Sequence, residues 1–181
     1  GGLAAHRLDL PIIWTFTGLI VIGSLGYLVI ADSLGYRRFS LFALNTKLVL
    51  VMTVALIVIG ASVFLAFEYQ NPETIGPLGV THKLNTVVFE SVSARTAGFS
   101  IVDYALTEPQ TNFFATALMY IGGASVSVAG GIKVNTVAII LVAVLAGVRG
   151  RNHTTAFGRE IPDDQINRAL VIVAVSICPR A

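Results

Sequence analysis

Asn85-Thr-Val-Val-Phe-Glu-Ser-Val-Ser-Ala94 runs straight into Arg95-Thr-Ala-Gly-Phe-Ser100, and Gly122-Gly-Ala-Ser-Val-Ser-Val-Ala-Gly-Gly-Ile-Lys133 follows further along the chain. The first run is too short to cross a bilayer, which takes about 20 residues. It breaks at 95–100, and a long hydrophobic segment then begins, only to be broken again at 122–133. Irregular backbone at membrane depth is tolerated only where protein buries it or where it lines a watery path. Two such breaks in one membrane domain imply a route for something polar.

Composition places the chain in a bilayer. Hydrophobic residues make up 55% of the 181 residues and charged residues 12%, about half the charge of a typical soluble domain. A net charge of +2 is too small to argue for nucleic acid as a partner. Cys178 stands alone, so there is no disulfide framework. No charged leader with a cleavage site is visible at Gly1, and the last apolar run, Ala169 to Cys178, is too short to span. The chain reads as a piece of something longer.

On the N-terminal side of the two breaks, Leu10 to Ala31 is 22 residues without a charge and reads as one span. Pro11 suits its first turn and Trp14 the headgroup level, while Gly18, Gly23 and Gly26 would let another helix approach. A polar connection from Asp32 to Lys47 precedes a second span of 20 uncharged residues, Leu48 to Phe67. Glu68 to Lys83 is a loop with Asn71-Pro72 and Gly76-Pro77 as turn signals. From Thr111 to Val148 the 38 residues would make a straight helix of about 57 Å, against a hydrocarbon core of about 30 Å. The Gly-Gly pairs offer a half-helix, loop, half-helix arrangement instead. Pro162-Asp163-Asp164 then starts another helix.

The loops at 32–47 and 149–168 carry seven Lys/Arg residues between them, which places both in the cytoplasm and the Glu68–Lys83 loop outside. The segment between must go out and come back, and it holds two full crossings. The 85–100 run therefore dips in and returns on the outer side. The fold class expected is an all-α integral membrane protein, a helix–re-entrant pore loop–helix repeat with an interrupted second helix.

A cation filter needs oxygen dipoles that replace the hydration shell, usually backbone carbonyls in a tight, extended turn. Thr96, Ala97, Gly98, Phe99 and Ser100 are residue types suited to such a turn. Thr96 adds a hydroxyl, Gly98 opens backbone geometry closed to other residues, and Phe99 can wedge behind the turn. The pattern is a relaxed Thr-Val-Gly-Tyr-Gly filter, with a plain extracellular turn as the alternative for five residues taken alone. A cation would be held by these backbone carbonyls. Arg95 is expected to point off the axis and pair with Glu90, the nearest acid in sequence, as support for the filter. The 122–133 loop has no Gly-Lys-Ser/Thr and no preceding strand, so it is not a phosphate-binding loop. Directly below a filter it could obstruct the pore, with Gly122, Gly123, Ser127, Ala129, Gly130, Gly131 and Lys133 as its key positions. Lys133 at membrane depth is costly unless paired, and is expected to help hold the loop closed, the alternative being that it snorkels to the cytoplasm.

Ser93-Ala-Arg-Thr-Ala-Gly-Phe-Ser100, the 122–133 loop and Asn45-Thr-Lys-Leu-Val-Leu50 resemble the Trk/Ktr/HKT superfamily of potassium transporters. Subunits of that family carry four helix–pore loop–helix repeats around one pore. The resemblance implies that 1–31 is the closing transmembrane helix of a preceding repeat and 32–47 a cytoplasmic connection. It makes 48–148 a complete repeat, with pore helix 85–94, filter 95–100 and intramembrane loop 122–133. It makes 149–162 a second cytoplasmic connection and 163–181 the truncated start of the next repeat's first helix. Gly98 would be the filter glycine and 122–133 the gating loop. The family loop commonly reads Gly-Gly-Ser-Pro-Gly-Ser-Thr-Ala-Gly-Gly-Ile-Lys, so Ala124, Ser125, Val126 and Val128 depart from it. Valine in place of glycine at 126 is expected to stiffen the loop, and a glycine there to raise flux.

The function this implies is potassium translocation across the plasma membrane, with sodium open as a second ion. The resemblance further implies a bacterial multi-pass subunit, dimeric, embedded in the bilayer beside its remaining repeats, with a cytosolic nucleotide-binding regulatory ring. No cofactor is expected in this chain. Two other readings compete: a secondary transporter with a broken helix at the midplane, and a non-conducting remnant, since one repeat cannot close a four-sided filter. No enzyme constellation is present; His6, His82 and His153 are isolated and expected at the solvated surface.

Overall fold

Pro11, whose ring fits a first helical turn, opens α1 (Leu10–Leu25). Its hydroxyls are satisfied within the helix, Thr15 on the Pro11 carbonyl and Thr17 on that of Ile13, as an apolar solvent demands. The computed structural model describes Leu3 and residues 9–36, 38–95, 97–150 and 153–177. The expected single span over Leu10–Ala31 is in fact two helices. α1 ends at Gly26, and α2 (Tyr27–Gly35) leaves at 97° to it. Gly26 has φ 77° and ψ 153°, a conformation essentially reserved for glycine. The cause is tertiary: the backbone of residues 124–126 lies in the break. Nor does a helix approach the α1 glycines. Gly23 faces Val128, Gly26 faces Ser125, and nothing among the described residues lies within 4 Å of where a side chain on Gly18 would begin.

Asp32 Oδ2 accepts the Ala43 N–H at 2.9 Å, and a 3₁₀ turn, Phe39–Leu41, leads into α3 (Leu44–Glu68). At 25 residues α3 is about 37 Å long, and it is apolar on every side: Leu56 and Phe64 are buried while Val54 and Val58 are exposed. It is the helix of the described residues long and apolar enough by itself to cross a membrane; the bent α1–α2 pair passes the same test taken together.

α3 is the hub, packing against α4 (Val80–Ser93), α5 (Pro109–Tyr120) and α6 (Val134–Val148). Leu56 and Phe64 meet Val87, Ala115, Leu118 and Val134 in one cluster. Close approach of α3 and α4 depends on Gly60, because a Cβ there would lie 2.1 Å from Ser91 Oγ, which donates to the Ile57 carbonyl at 2.9 Å. α4 begins five residues before the expected pore helix at 85–94. Lys83 is what permits this: its ammonium reaches the Tyr69 carbonyl at 2.7 Å and lies 4.1 Å from the Tyr69 ring centroid. It pairs with neither Glu68 nor Glu73.

Between α5 and α6 the chain is irregular over 121–133, the half-helix, loop, half-helix plan. The fold is mostly helical, as expected, and after α6 it adds one short element of another kind. A small antiparallel hairpin, β1 (Thr155–Ala156) and β2 (Arg159–Glu160), precedes α7 (Asp163–Ile177). Polar residues in a short connection hide the two-residue pairing, whose anchor is Ile161, buried against Leu48 and Ala138. His153 is exposed, yet its Nδ1 lies 2.7 Å from Glu160 Oε1, so it is not isolated. The ring of His82 is partly buried, and His6 lies outside the described residues.

Glu68 ties the ends of three segments together. Its carboxylate is 2% exposed and accepts from Asn71 Nδ2, Thr74 Oγ1, the Glu108 N–H and Thr111 Oγ1 at 2.6–2.9 Å. Glu68→Ala leaves these donors without an acceptor and should cost about 3–5 kcal/mol. A thermal midpoint in detergent close to that of the unsubstituted protein would show that this end is held otherwise.

Candidate functional site

The site begins at the C-terminal end of α4, where Ser91 and Ser93 are buried and the helix gives out. Ala97 N donates to the Ser93 carbonyl at 3.1 Å, one last turn before the chain extends. Gly98 follows with φ 77°, left-handed backbone that a side chain would oppose, and no atom of a described residue crowds the place a Cβ would take. The Phe99 carbonyl accepts from Ser93 Oγ, and the Ser100 carbonyl accepts from Leu3 N at 2.8 Å. No hydrogen bond from a described residue reaches the carbonyls of Ala97 or Gly98. Thr96 lies outside the described residues. Phe99 is half-exposed and packs edge-on against Phe16 of α1, with centroids 5.5 Å apart.

Glu90 does support this turn, but not through Arg95. Its Oε1 accepts from the N–H groups of Ile101 at 2.7 Å and Val102 at 3.1 Å, with Ser100 Oγ 3.3 Å away. Its Oε2 accepts from the Tyr104 hydroxyl at 2.9 Å. Backbone donors satisfy the carboxylate because the chain folds back across the end of α4 just after Ser100. Arg95 is 3% exposed, and neither its Nε nor its Nη2 has a hydrogen-bond partner. The expected Glu90–Arg95 pair is therefore absent: proximity in sequence was outweighed by the return of the 101–104 segment.

The 122–133 loop is pinned at its neck. Gly122 N donates to the Ile132 carbonyl at 2.9 Å, Ile132 N to that of Tyr120 at 3.0 Å, and Val134 N to that of Gly123 at 3.0 Å. The glycine at 122 is obligatory, since a Cβ would sit 1.5 Å from the Gly130 oxygen. Ser127 Oγ is buried without a partner, and Ala129 is buried. Gly130 and Gly131 are exposed. Lys133 caps α6 and sends its ammonium back to the Ala129 carbonyl at 2.6 Å, so the lysine closes the loop on itself.

Three contributors escaped the sequence reading. Asn135 clasps the loop, its Nδ2 2.8 Å from Ser125 Oγ and its Oδ1 accepting Ser125 N at 3.3 Å. Ser24 and Tyr27 of the preceding helices hold the loop's other side, through Ala124 N to the Ser24 carbonyl at 2.8 Å and Tyr27 N to the Val126 carbonyl at 3.4 Å. Asn135 could have been suspected as a polar residue at the second position of an apolar helix. Backbone partners leave no such mark.

The two breaks meet. Arg95, Ala97 and Phe99 on one side, and Val128 and Ala129 on the other, line a cavity of about 240 Å³ that α1 closes with Gly23.

Comparison with known proteins gives this geometry a context. Residues 12–178 match the TrkH family, described as cation transport proteins. The chain is 38% identical over 161 residues to the Ktr system potassium uptake protein B of Bacillus subtilis, covering 89% of this chain and 36% of that protein. It is 35% identical over 178 residues to the potassium/sodium uptake protein NtpJ of Enterococcus hirae, covering 97% and 39%. The fold resembles the crystal structure of the potassium transporter TrkH from Vibrio parahaemolyticus, with a TM-score of 0.69 at 15% identity over 92% of this chain and 36% of that one. The chain thus spans 36–39% of the length of these relatives.

Proposed function

Because this chain belongs to the TrkH family of cation transport proteins, we propose that it forms one side of a membrane pore that carries potassium. The relatives are named for potassium, or for potassium and sodium, uptake, which supports potassium as the cargo with sodium as a second ion. The single observation that carries the reading is the pair of carbonyls at Ala97 and Gly98. They sit in a turn anchored on both flanks, and no described residue hydrogen-bonds to them. Such oxygens are free to take the place of an ion's water shell.

In this reading 95–100 is the filter strand of one repeat, with Thr96 to Ser100 as its positions, and the 122–133 loop is the gate beneath it. The 32–47 and 149–162 connections face the cytoplasm of a multi-pass protein in the plasma membrane, as their basic residues favour. The remaining repeats complete the pore, a second copy completes a dimer, and a cytosolic nucleotide-binding ring regulates it.

Gly98→Ser in the complete transporter tests the filter. A side chain at φ 77° moves the adjacent carbonyls, so discrimination of potassium against sodium should fall several-fold while the protein still folds. Unchanged competition between the two ions in uptake would remove Gly98 from the filter.

A further inference from the structure

A continuous helix through residue 26 would give the Ser24 carbonyl to the N–H of Leu28, and the Tyr27 N–H to the carbonyl of Gly23. In the broken helix both groups are paired with the loop instead: Ser24 O accepts Ala124 N at 2.8 Å, and Tyr27 N donates to Val126 O at 3.4 Å. Gly26 makes room between them, because a Cβ there would lie 2.6 Å from the Ser125 oxygen. At membrane depth neither group can be left unpaired without a large cost. The same carbonyl and the same N–H thus serve the loop or the helix, but not both at once.

We propose that the break between α1 and α2 is the docking site that positions the 122–133 loop, and that withdrawal of the loop lets α1 and α2 join into one helix. This rests on the gating role proposed for the loop. Ser24, Gly26 and Tyr27 are then positioning residues of the gate, contributed by a helix outside the repeat that carries it. Two features of the contact agree with an arrangement built to be released. Val126, whose carbonyl accepts from Tyr27, is a β-branched residue held at φ 62°. Val128 rests over Gly23, 3.5 Å from where a Cβ would be, and is otherwise 92% exposed. Against α1 and α2 the docked loop is held by two backbone hydrogen bonds and by Ala124, which is buried beside Val29 and Val49.

The Gly23–Val128 contact supplies the probe. In the complete transporter, cleared of other reactive cysteines and placed in proteoliposomes, Gly23→Cys is combined with Val128→Cys, and disulfide yield is measured alongside potassium flux. Adding Gly26→Ala favours the continuous helix, and should lower the crosslink yield and raise flux, each several-fold. Adding Leu28→Pro does the reverse. Proline is tolerated in the first turn of α2 but not inside a continuous helix, and at 28 it leaves the Tyr27 N–H in place to donate to Val126 O, so the break is locked. Crosslinking should then hold at or above its starting yield and flux should fall several-fold. An unchanged yield with Gly26→Ala, or a flux raised by Leu28→Pro, overturns the proposal. Where Gly26→Ala does not yield folded protein, Leu28→Pro decides alone. Crosslinking that responds as stated while flux stays constant upholds the docking and removes the gating reading.

Discussion

Glu90→Ala in the complete transporter should abolish most of the discrimination between potassium and sodium, a loss of tenfold or more. Glu90 gathers the N–H groups of Ile101 and Val102 on one oxygen and the Tyr104 hydroxyl on the other, and is 1% exposed. Those bonds fix the chain immediately after Phe99-Ser100. Stranding two or three buried donors costs about 1–3 kcal/mol each, and about 1.4 kcal/mol is already a factor of ten. The turn that aims the Ala97 and Gly98 carbonyls would lose its far anchor. Glu90→Gln should fall between, because its amide can donate to Tyr104, whose hydroxyl turns to accept, while its uncharged carbonyl keeps the Ile101 and Val102 donors more weakly than a carboxylate does. The pair is measured by competitive uptake of the two ions, with thermal midpoints to confirm folding. Full selectivity in a folded Glu90→Ala protein would show that the filter is held by its near anchor, Ser93, alone.

The second large effect is expected at Val126, and its sign is opposite to the one the sequence suggests. Read as a sequence, valine in place of glycine stiffens the loop, so that restoring glycine should raise flux. The structure puts Val126 at φ 62° in the docked loop, with its side chain 67% exposed. Left-handed backbone costs a side-chain-bearing residue about 1–2 kcal/mol, and glycine relieves this at an entropic cost of about 0.4–1 kcal/mol. Val126→Gly therefore stabilises the docked arrangement by a net of about 1 kcal/mol, and potassium flux in proteoliposomes should fall about fivefold. Lys133→Ala acts the other way. It removes the ammonium that closes the loop on the Ala129 carbonyl, and flux should rise. Higher flux in the Val126→Gly protein would mean that the strain belongs to the open loop rather than the docked one.

How much of this was legible beforehand depended on whether the physics was local. Hydrophobic length against bilayer thickness fixed α3, and the excess length of 111–148 required a break between α5 and α6. The turn chemistry of Gly98 could be read from its neighbours, because the need for φ above zero is a property of one residue. The charged segment 149–162 showed that it was a connection but not that it held a hairpin, since two residues per strand leave no periodicity.

Long-range pairing decided the rest. Leu10–Ala31 carries no signal that separates a straight span from two helices at 97°, because glycine at 26 is compatible with both. Only the arrival of residues 124–126 gives the freed Ser24 carbonyl and Tyr27 N–H their partners, and so makes the bend tolerable in a solvent without hydrogen bonds. Arg95 and Glu90 lie five residues apart and invite a pair. The carboxylate goes instead to Ile101, Val102 and Tyr104, whose return across α4 is a matter of topology. Residue identity was enough to say that 95–100 and 122–133 are irregular, but not that the chain also breaks at Gly26. That the two irregular segments face one cavity came from packing in three dimensions, because a backbone hydrogen bond depends on where its partner lies in space and leaves no trace in side-chain identity.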